Sequence, residues 1–248
     1  MSDTRTKAQL VVAIDDTDNP EQGGTGRVAR EIAQRLRARF PIWGVTRHQF
    51  AVLPGIPYTR NNSGNAIQVL AEAPDLGALT DEIGGWLREL CLPGSDPGLC
   101  IARPGALVGN GFGAAAQTRV LTKDEARAVA QTAGVILRNP CATDDGIIGA
   151  LAGACLACGG NDGRFVEIGE MRPLSGRLTV SEVLAAGGDE VRSVEERPIT
   201  EGVIAADRLR PALRGGKCVL YCRPGDDGLW APIMGAPGDR SKEGRTDG

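Results

Sequence analysis

Histidine occurs once in 248 residues, as His48, and a single imidazole excludes a histidine-based catalytic triad and any multi-histidine metal site. Aromatic residues make up only 4 % of the chain while glycine occurs 35 times, so the core must be built from small aliphatic side chains and the backbone must turn tightly. No apolar run approaches the roughly 20 residues that span a bilayer, and the opening MSDTRTKAQ lacks the apolar stretch of a secretory signal. A cytoplasmic protein with no membrane partner is expected. Seven cysteines, at 91, 100, 141, 155, 158, 218 and 222, include one CxxC pair, Cys155 and Cys158, and no second pair at zinc-ribbon spacing. Reduced structural thiols are the expectation. A formal net charge of −3 argues against a general nucleic-acid coat. The arginines at 27, 30, 35, 37 and 39 supply either a local basic face or an ordinary solvated helix surface.

What is present is concentrated in VVAIDDTDNPEQGGTGRVARE, residues 11 to 31. Crowded carboxylates repel one another and are tolerated where a cation, hydrogen-bond donors or open solvent absorbs the charge. Here Asp15, Asp16 and Asp18 follow an apolar β-branched run, QLVVAI, that reads as a strand covered on both faces. After Gly26, the spacing of Val28, Ile32 and Leu36 predicts an amphipathic helix ending before Pro41. Strand, acidic glycine-rich loop and helix start are the two halves of a metal-phosphate site. Asp15, Asp16 and Asp18 would hold Mg²⁺. Gly23, Gly24, Thr25 and Gly26 would cradle phosphate, with the Thr25 hydroxyl as donor or nucleophile. A plain solvated turn with Thr25 as helix cap remains the competing reading. The glycine spacing is not that of a P-loop, and no lysine precedes Thr25.

Further along, IWGVTRHQFAVL reads as a strand region, LPGIPYTRNNSGN as a polar loop, AIQVLAEA as a strand, and DLGALTDEIGGWLRELC as a helix capped by Asp75. With the short apolar GLCIA these form a βαβ-like unit. The loop offers Tyr58, Thr59, Arg60, Asn61, Asn62 and Asn65 as partners for phosphate, ribose or base, Arg60 being suited to clamp a phosphate. The same residue types also populate ordinary turns. LTKDEARAVAQTAG carries a capping box, Thr122 with Glu125, and a stop at Gly134; VILR follows as a strand. TDDGIIGALAGACLACGG predicts a central helix, apolar all round, with Asp144 and Asp145 capping it and offsetting its dipole. GNGFG, residues 109 to 113, reads as a hinge, and His48 as a satisfied structural group. RFVEIG and GKCVLYCR read as strands, SEVLAAG as a short helix, PGDDG as a turn, and GAPGDRSKEGRTDG as a disordered tail.

IDDTDNPEQGGTGRVA, with GIPYTRNNSGNAIQV and GIIGALAGACL after it, resembles the amino-terminal half of archaeal tRNA(Ile) 2-agmatinylcytidine synthetase. The likeness runs over roughly residues 10 to 170 and touches RPALRGGKCVL. It implies an α/β (α+β) architecture: a kinase-like ATP-binding part over 1–62 and 127–190, a ferredoxin-like part over 63–126 and 191–235, and a tail over 236–248. It also implies ATP and Mg²⁺ as cofactors and a threonine that takes part in phosphoryl transfer. Carried across, Asp15, Asp16 and Asp18 match the acidic metal cluster, Thr25 the first threonine of a CTT-like loop, and Tyr58, Thr59, Arg60 and Asn65 an IPYKTRGN-like segment. The family's cysteine and second threonine are Gly24 and Gly26 here, and no four-cysteine ribbon is found. The expected function is an ATP-dependent phosphotransferase or synthetase acting on tRNA, another RNA, a small amine or another metabolite. A nucleotide-sensing or RNA-binding module without catalysis is the alternative.

Overall fold

A computed structural model of the chain describes residues 7–17, 24–56, 61–73, 75–141 and 143–238. The apolar run after Gln9 is strand β1 (Leu10–Asp15), and its alternation sends Leu10, Val12 and Ile14 to one packed face and Val11 and Ala13 to the other. Helix α1 (Thr25–Leu36) buries Val28, Ala29, Ile32, Ala33 and Leu36 against the first of these faces. β2 (Ile42–Gln49), β3 (Ser63–Val69), α2 (Leu76–Leu90) and β4 (Gly98–Ala102) complete a β-α-β-β-α-β unit. β1 lies between β3 and β4 and is antiparallel to both, and β2 is antiparallel to β3. The order β4-β1-β3-β2 is the split, ferredoxin-like arrangement. The division expected between residues 62 and 63 falls between β2 and β3, which pair continuously from Gly44↔Gln68 to Gln49↔Ser63.

The opposite face of this sheet is covered by α3 (Pro104–Leu107), α4 (Phe112–Ala116), α5 (Lys123–Ala133) and, above all, α6 (Ile147–Gly159). β5 (Ile136–Arg138) joins the edge beside β4. The capping box of α5 forms as predicted, and its C-cap Gly134 is left-handed at φ 63°. GNGFG contains the start of α4 rather than a bare hinge: Gly111 is the left-handed N-cap, and Asn110 Oδ1 accepts from Phe112 N at 2.8 Å. α6 is apolar all round because it is wedged between the sheet and the other helices. Small side chains let its backbone lie directly on the strands. A Cβ on Gly98 would overlap the Gly146 carbonyl and the Ile147 nitrogen, and one on Gly146 would overlap the nitrogen of Gly98 and the carbonyl oxygen of Asp96.

The rest of the chain lengthens the sheet. β6 (Arg164–Ile168) pairs with β2, and β7 (Gly176–Thr179), α7 (Val180–Ala185), β8 (Glu190–Ser193), β9 (Val203–Ala206), β10 (Ala212–Arg214), β11 (Lys217–Pro224) and β12 (Trp230–Pro232) follow. Among the described residues the strands run β5-β4-β1-β3-β2-β6-β10-β11-β12-β9-β7, with β8 pairing β11. The architecture is mixed α/β, as expected. Three expectations change. β3 begins at Ser63, because pairing with Gln49 recruits the end of the polar loop into the sheet, so Asn65 is a strand residue. The short strands β7, β8, β9, β10 and β12 have too few residues to show a period of two. Ala236, placed in the expected tail, is buried against Tyr221; residues 239–248 lie outside the described residues. The cysteines are free, and burial pushes the Cys155 thiol up to about 11 and that of Cys222 to about 12. Both shifts fit reduced structural thiols.

Candidate functional site

The carboxyl end of β1 opens into a cavity of about 190 Å³ between the sheet and the start of α6. Strand alternation puts Asp15 on the α6 side, where its carboxylate rests against the α carbon of Gly149; any Cβ at that position would overlap it. Asp16 follows in the left-handed region at φ 52°, a conformation an aspartate tolerates better than most residues, and its carbonyl accepts from Asp96 N at 3.1 Å. Thr25, at the first turn of α1, lines the same space. The spacing of the opening motif thus brings Asp15, Asp16 and Thr25 together. Gly24 is the N-cap of α1, with an extended backbone and no side-chain cap hydrogen bond.

Asn65 points to the α1 side of the sheet. It is 2 % exposed, its Oδ1 has no hydrogen-bond partner among the described residues, and that atom lies 3.5 Å from where a Cβ on Gly26 would stand. A buried carboxamide beside a helix start, with an unsatisfied oxygen, is costly unless a ligand group completes it. The Oγ1 of Thr17 is in the same condition. Asp18, Gly23, Tyr58, Thr59 and Arg60 lie outside the described residues. Asn61 and Asn62 do line the cavity, and Asn62 Nδ2 also donates to Ala51 O at 2.6 Å.

Several residues that sequence reasoning passed over form the remaining wall. Phe50, Ala116, Leu121, Ile148 and Ala152 make one side apolar, and Arg119 stands at the edge, bonded to Glu125 at 2.7 Å. Asp145 also lines the cavity. It does not cap α6, whose N-cap is Gly146 with no side-chain bond; its Oδ1 pairs with Lys123 at 2.5 Å, and Asp144 pairs with Arg127. The cap is missing because the residues before α6 are turned toward Asp96. That carboxylate accepts from Asn139 Nδ2 at 2.7 Å, Thr143 N at 3.1 Å, Thr143 Oγ1 and Asp145 N. The only sequence signal for Asp96 is its place in a glycine- and proline-rich turn, SDPG, that lies far from α6 along the chain.

Burial works against the charge on Asp96, but the bonds from Thr143, Asn139 and the Asp145 amide outweigh it and hold the carboxyl at about 2. The folded value lies below the unfolded one, so the stabilisation is complete above the unfolded value and is lost as pH falls through the folded one. The unfolding free energy from urea titrations should therefore drop between about pH 4 and pH 2, by about 2 kcal/mol from this group, and Asp96→Asn should remove that part of the pH dependence.

His48 is not among the residues that line the cavity. It is fully buried, with Nε2 2.9 Å from Thr46 Oγ1 and Nδ1 2.8 Å from Asp162 Oδ1, while Gln117 Nε2 donates to Asp162 Oδ2 at 2.8 Å. The network satisfies both ring nitrogens, as a structural histidine requires.

Two carboxylates at the end of β1, a third, Asp145, already paired with Lys123, a helix start and a half-apolar wall fit a metal–nucleotide complex. Among the described residues no three His, Cys, Asp or Glu side chains converge on one point. Mg²⁺ is suited to such a site, since it keeps several waters and commonly takes one or two carboxylates together with substrate phosphates.

No family model matches the chain, and no curated protein matches it in sequence. Solved structures do match. The complex of TiaS with an isoleucine tRNA and ATP is similar with a TM-score of 0.54 at 27 % identity, over 60 % of this chain and 36 % of that one. Apo TiaS, an agmatidine synthetase for that tRNA, gives 0.51 at 26 % over 59 % and 35 %. A tRNA fluorescent labeling enzyme gives 0.52 at 27 % over 59 % and 35 %. The matched part spans little more than a third of the length of those chains. No helix among the described residues is long and apolar enough to cross a membrane.

Proposed function

We propose that this chain is an ATP- and Mg²⁺-dependent phosphotransferase or synthetase whose nucleotide site is the cavity at the end of β1. The observation that carries the reading is the convergence of Asp15, Asp16 and Thr25 on one half-apolar cavity beside the start of α1. The similarity to TiaS, one of whose structures is a complex with ATP, supports it.

In this reading Asp15 and Asp16, with Asp18, hold Mg²⁺, and the backbone amides at Gly24, Thr25 and Gly26 receive phosphate oxygens. ATP supplies the phosphoryl group that activates an acceptor: the acceptor oxygen would bond to the γ-phosphorus as the bond from that phosphorus to the bridging oxygen breaks, and ADP would leave. Arg119 at the edge neutralises anionic charge, Arg60 keeps the phosphate-clamping part assigned to it from sequence, and the wall of Phe50, Ile148 and Ala152 excludes water. The Gly149 contact holds the Asp15 carboxylate in place without occupying the cavity. The acceptor is an RNA, including tRNA, or a small amine or other metabolite.

The test is incubation of the purified chain with Mg²⁺ and ATP labelled in turn at the α- and γ-phosphates, alone and with bulk tRNA or a metabolite extract. Consumption of ATP to ADP, or to AMP and pyrophosphate, or a phosphate mass increment that Thr25→Ala removes, is expected. ATP bound but never consumed under any of these conditions would overturn the enzymatic reading in favour of a nucleotide-sensing module.

A further inference from the structure

The two carboxylates at the end of β1 are each steadied from outside that strand. Asp16 stands in the left-handed region at φ 52°, and its carbonyl accepts from Asp96 N at 3.1 Å. Asp15 rests against Gly149 in the first turn of α6, so its place follows that of the helix start. Both routes lead to Asp96. Its carbonyl accepts from the nitrogen of Gly146, the N-cap of α6, at 3.1 Å. Its carboxylate holds the segment just before: Oδ1 accepts from Asn139 Nδ2 at 2.7 Å and Thr143 N at 3.1 Å, and Oδ2 accepts from Thr143 Oγ1 and Asp145 N. Asp144, inside that turn, is left-handed as well, at φ 64°. Residues other than glycine keep such a backbone only where their surroundings impose it. Next to each of these two aspartates, a bond from Asp96 does so.

Asp96 itself does not reach the cavity. It is buried, 8 % exposed, and is not among the residues that line the cavity. A carboxylate offers about four acceptor positions, and four donors already occupy these, which leaves none for a cation. Whatever Asp96 contributes to the site passes through Asp16 on one side and the start of α6 on the other.

We propose that Asp96 is a positioning residue for the divalent cation that accompanies the nucleotide: its main chain fixes the peptide after Asp16, and its carboxylate fixes the turn into α6 and, through Gly149, Asp15. The inference rests on the metal–nucleotide reading of the cavity and adds to it the residue that sets the two carboxylates relative to each other. Partners of this kind behind a metal's ligands typically change its affinity by about 10- to 100-fold when they are removed. Asp96→Asn is a selective probe. If the new amide group takes the place of Oδ1 it meets two donors, Asn139 Nδ2 and Thr143 N. In the place of Oδ2 it meets the Asp145 N–H donor to donor, while the Thr143 hydroxyl can turn to accept. The second orientation costs less. It releases the Asp145 amide and the turn into α6, and it leaves the main-chain bonds to Asp16 and Gly146 in place.

The experiment is fluorescence anisotropy of a fluorescent, non-hydrolysable ATP analogue with the full chain, in Mg²⁺ and in EDTA. Wild type, Asp96→Asn, Thr143→Val and Asp162→Asn are compared under conditions where urea unfolding shows each to be folded. Asp162 is the control, a carboxylate bonded to His48 and Gln117, none of which lines the cavity. Wild type is expected to bind more tightly in Mg²⁺ than in EDTA. Asp96→Asn should bind about tenfold more weakly than wild type in Mg²⁺ and equally well in EDTA. Thr143→Val, which takes one donor from the same carboxylate, should show a smaller loss of the same kind, and Asp162→Asn none. Equal affinities of wild type, Asp96→Asn and Thr143→Val in Mg²⁺ would overturn the inference and leave the metal–nucleotide reading standing. An equal loss in Mg²⁺ and EDTA, or an equal loss in Asp162→Asn, would also overturn it, because the effect would then lie in the shape of the cavity or in general stability. Wild type that binds no analogue, or binds it without regard to Mg²⁺, would overturn the metal–nucleotide reading and this inference with it. If Asp96→Asn does not fold, Thr143→Val decides between the same outcomes.

Discussion

Asp16→Asn and Asp15→Asn should each lower ATP consumption at least about a hundredfold while leaving the protein folded. The expectation follows from what the two carboxylates do in the proposed site. They stand at the end of β1, while the third carboxylate lining the cavity, Asp145, is paired with Lys123, and replacing one of the two by a neutral amide removes charge at nearly constant volume. Removing one preorganised electrostatic group from an active site costs about 10² to 10³ in rate. Asp15 carries the second part of the argument: its carboxylate is pinned against Gly149, and an asparagine of nearly the same volume has the same room there. The check is ATP turnover together with the urea unfolding midpoint. Turnover in Asp16→Asn equal to wild type, with the midpoint unchanged, would require the metal-holding role of this cluster to be abandoned.

The largest effect on stability is expected at Gly98. A Cβ there meets backbone atoms of Gly146 and Ile147, so nothing flexible can move aside, and β4 and the start of α6 would have to separate. Overpacking a well-filled core typically costs about 1–3 kcal/mol, and a clash with backbone falls at or above the top of that range. Gly98→Ala should therefore lose about 3 kcal/mol by urea unfolding. Gly105→Ala is the comparison, because a Cβ there meets nothing within 4 Å. Equal midpoints for the two variants would mean that the close approach of β4 and α6 contributes nothing to stability. The site depends on this contact as well as the fold does, since the turn before α6 carries both Asp145 and the amides bound to Asp96.

Much of the fold is legible locally. The doubly buried β1, the amphipathic α1, the Asp75 cap whose carboxylate accepts from Ala78 N at 2.9 Å, the capping box of α5 and the all-round apolar α6 follow from side-chain period and capping chemistry within short windows. The site divides along the same line. Asp15, Asp16 and Thr25 are legible together because strand, loop and helix are consecutive in the chain. Asn65, Phe50, Arg119, Asp145 and Gly149 reach the site or its border from other elements, and no short window joins them to the aspartates.

The sequence by itself determined which segments are strands and helices wherever a period or a cap could be read, and it determined that carboxylates stand at the end of a buried strand. Only the tertiary structure decided which face each carboxylate takes, that α6 closes the cavity through Gly149, and that Asp96 organises the turn before it. The reason is physical: period and capping are local backbone properties, whereas close approach, desolvation and the pairing of charges depend on residues brought together from distant parts of the chain.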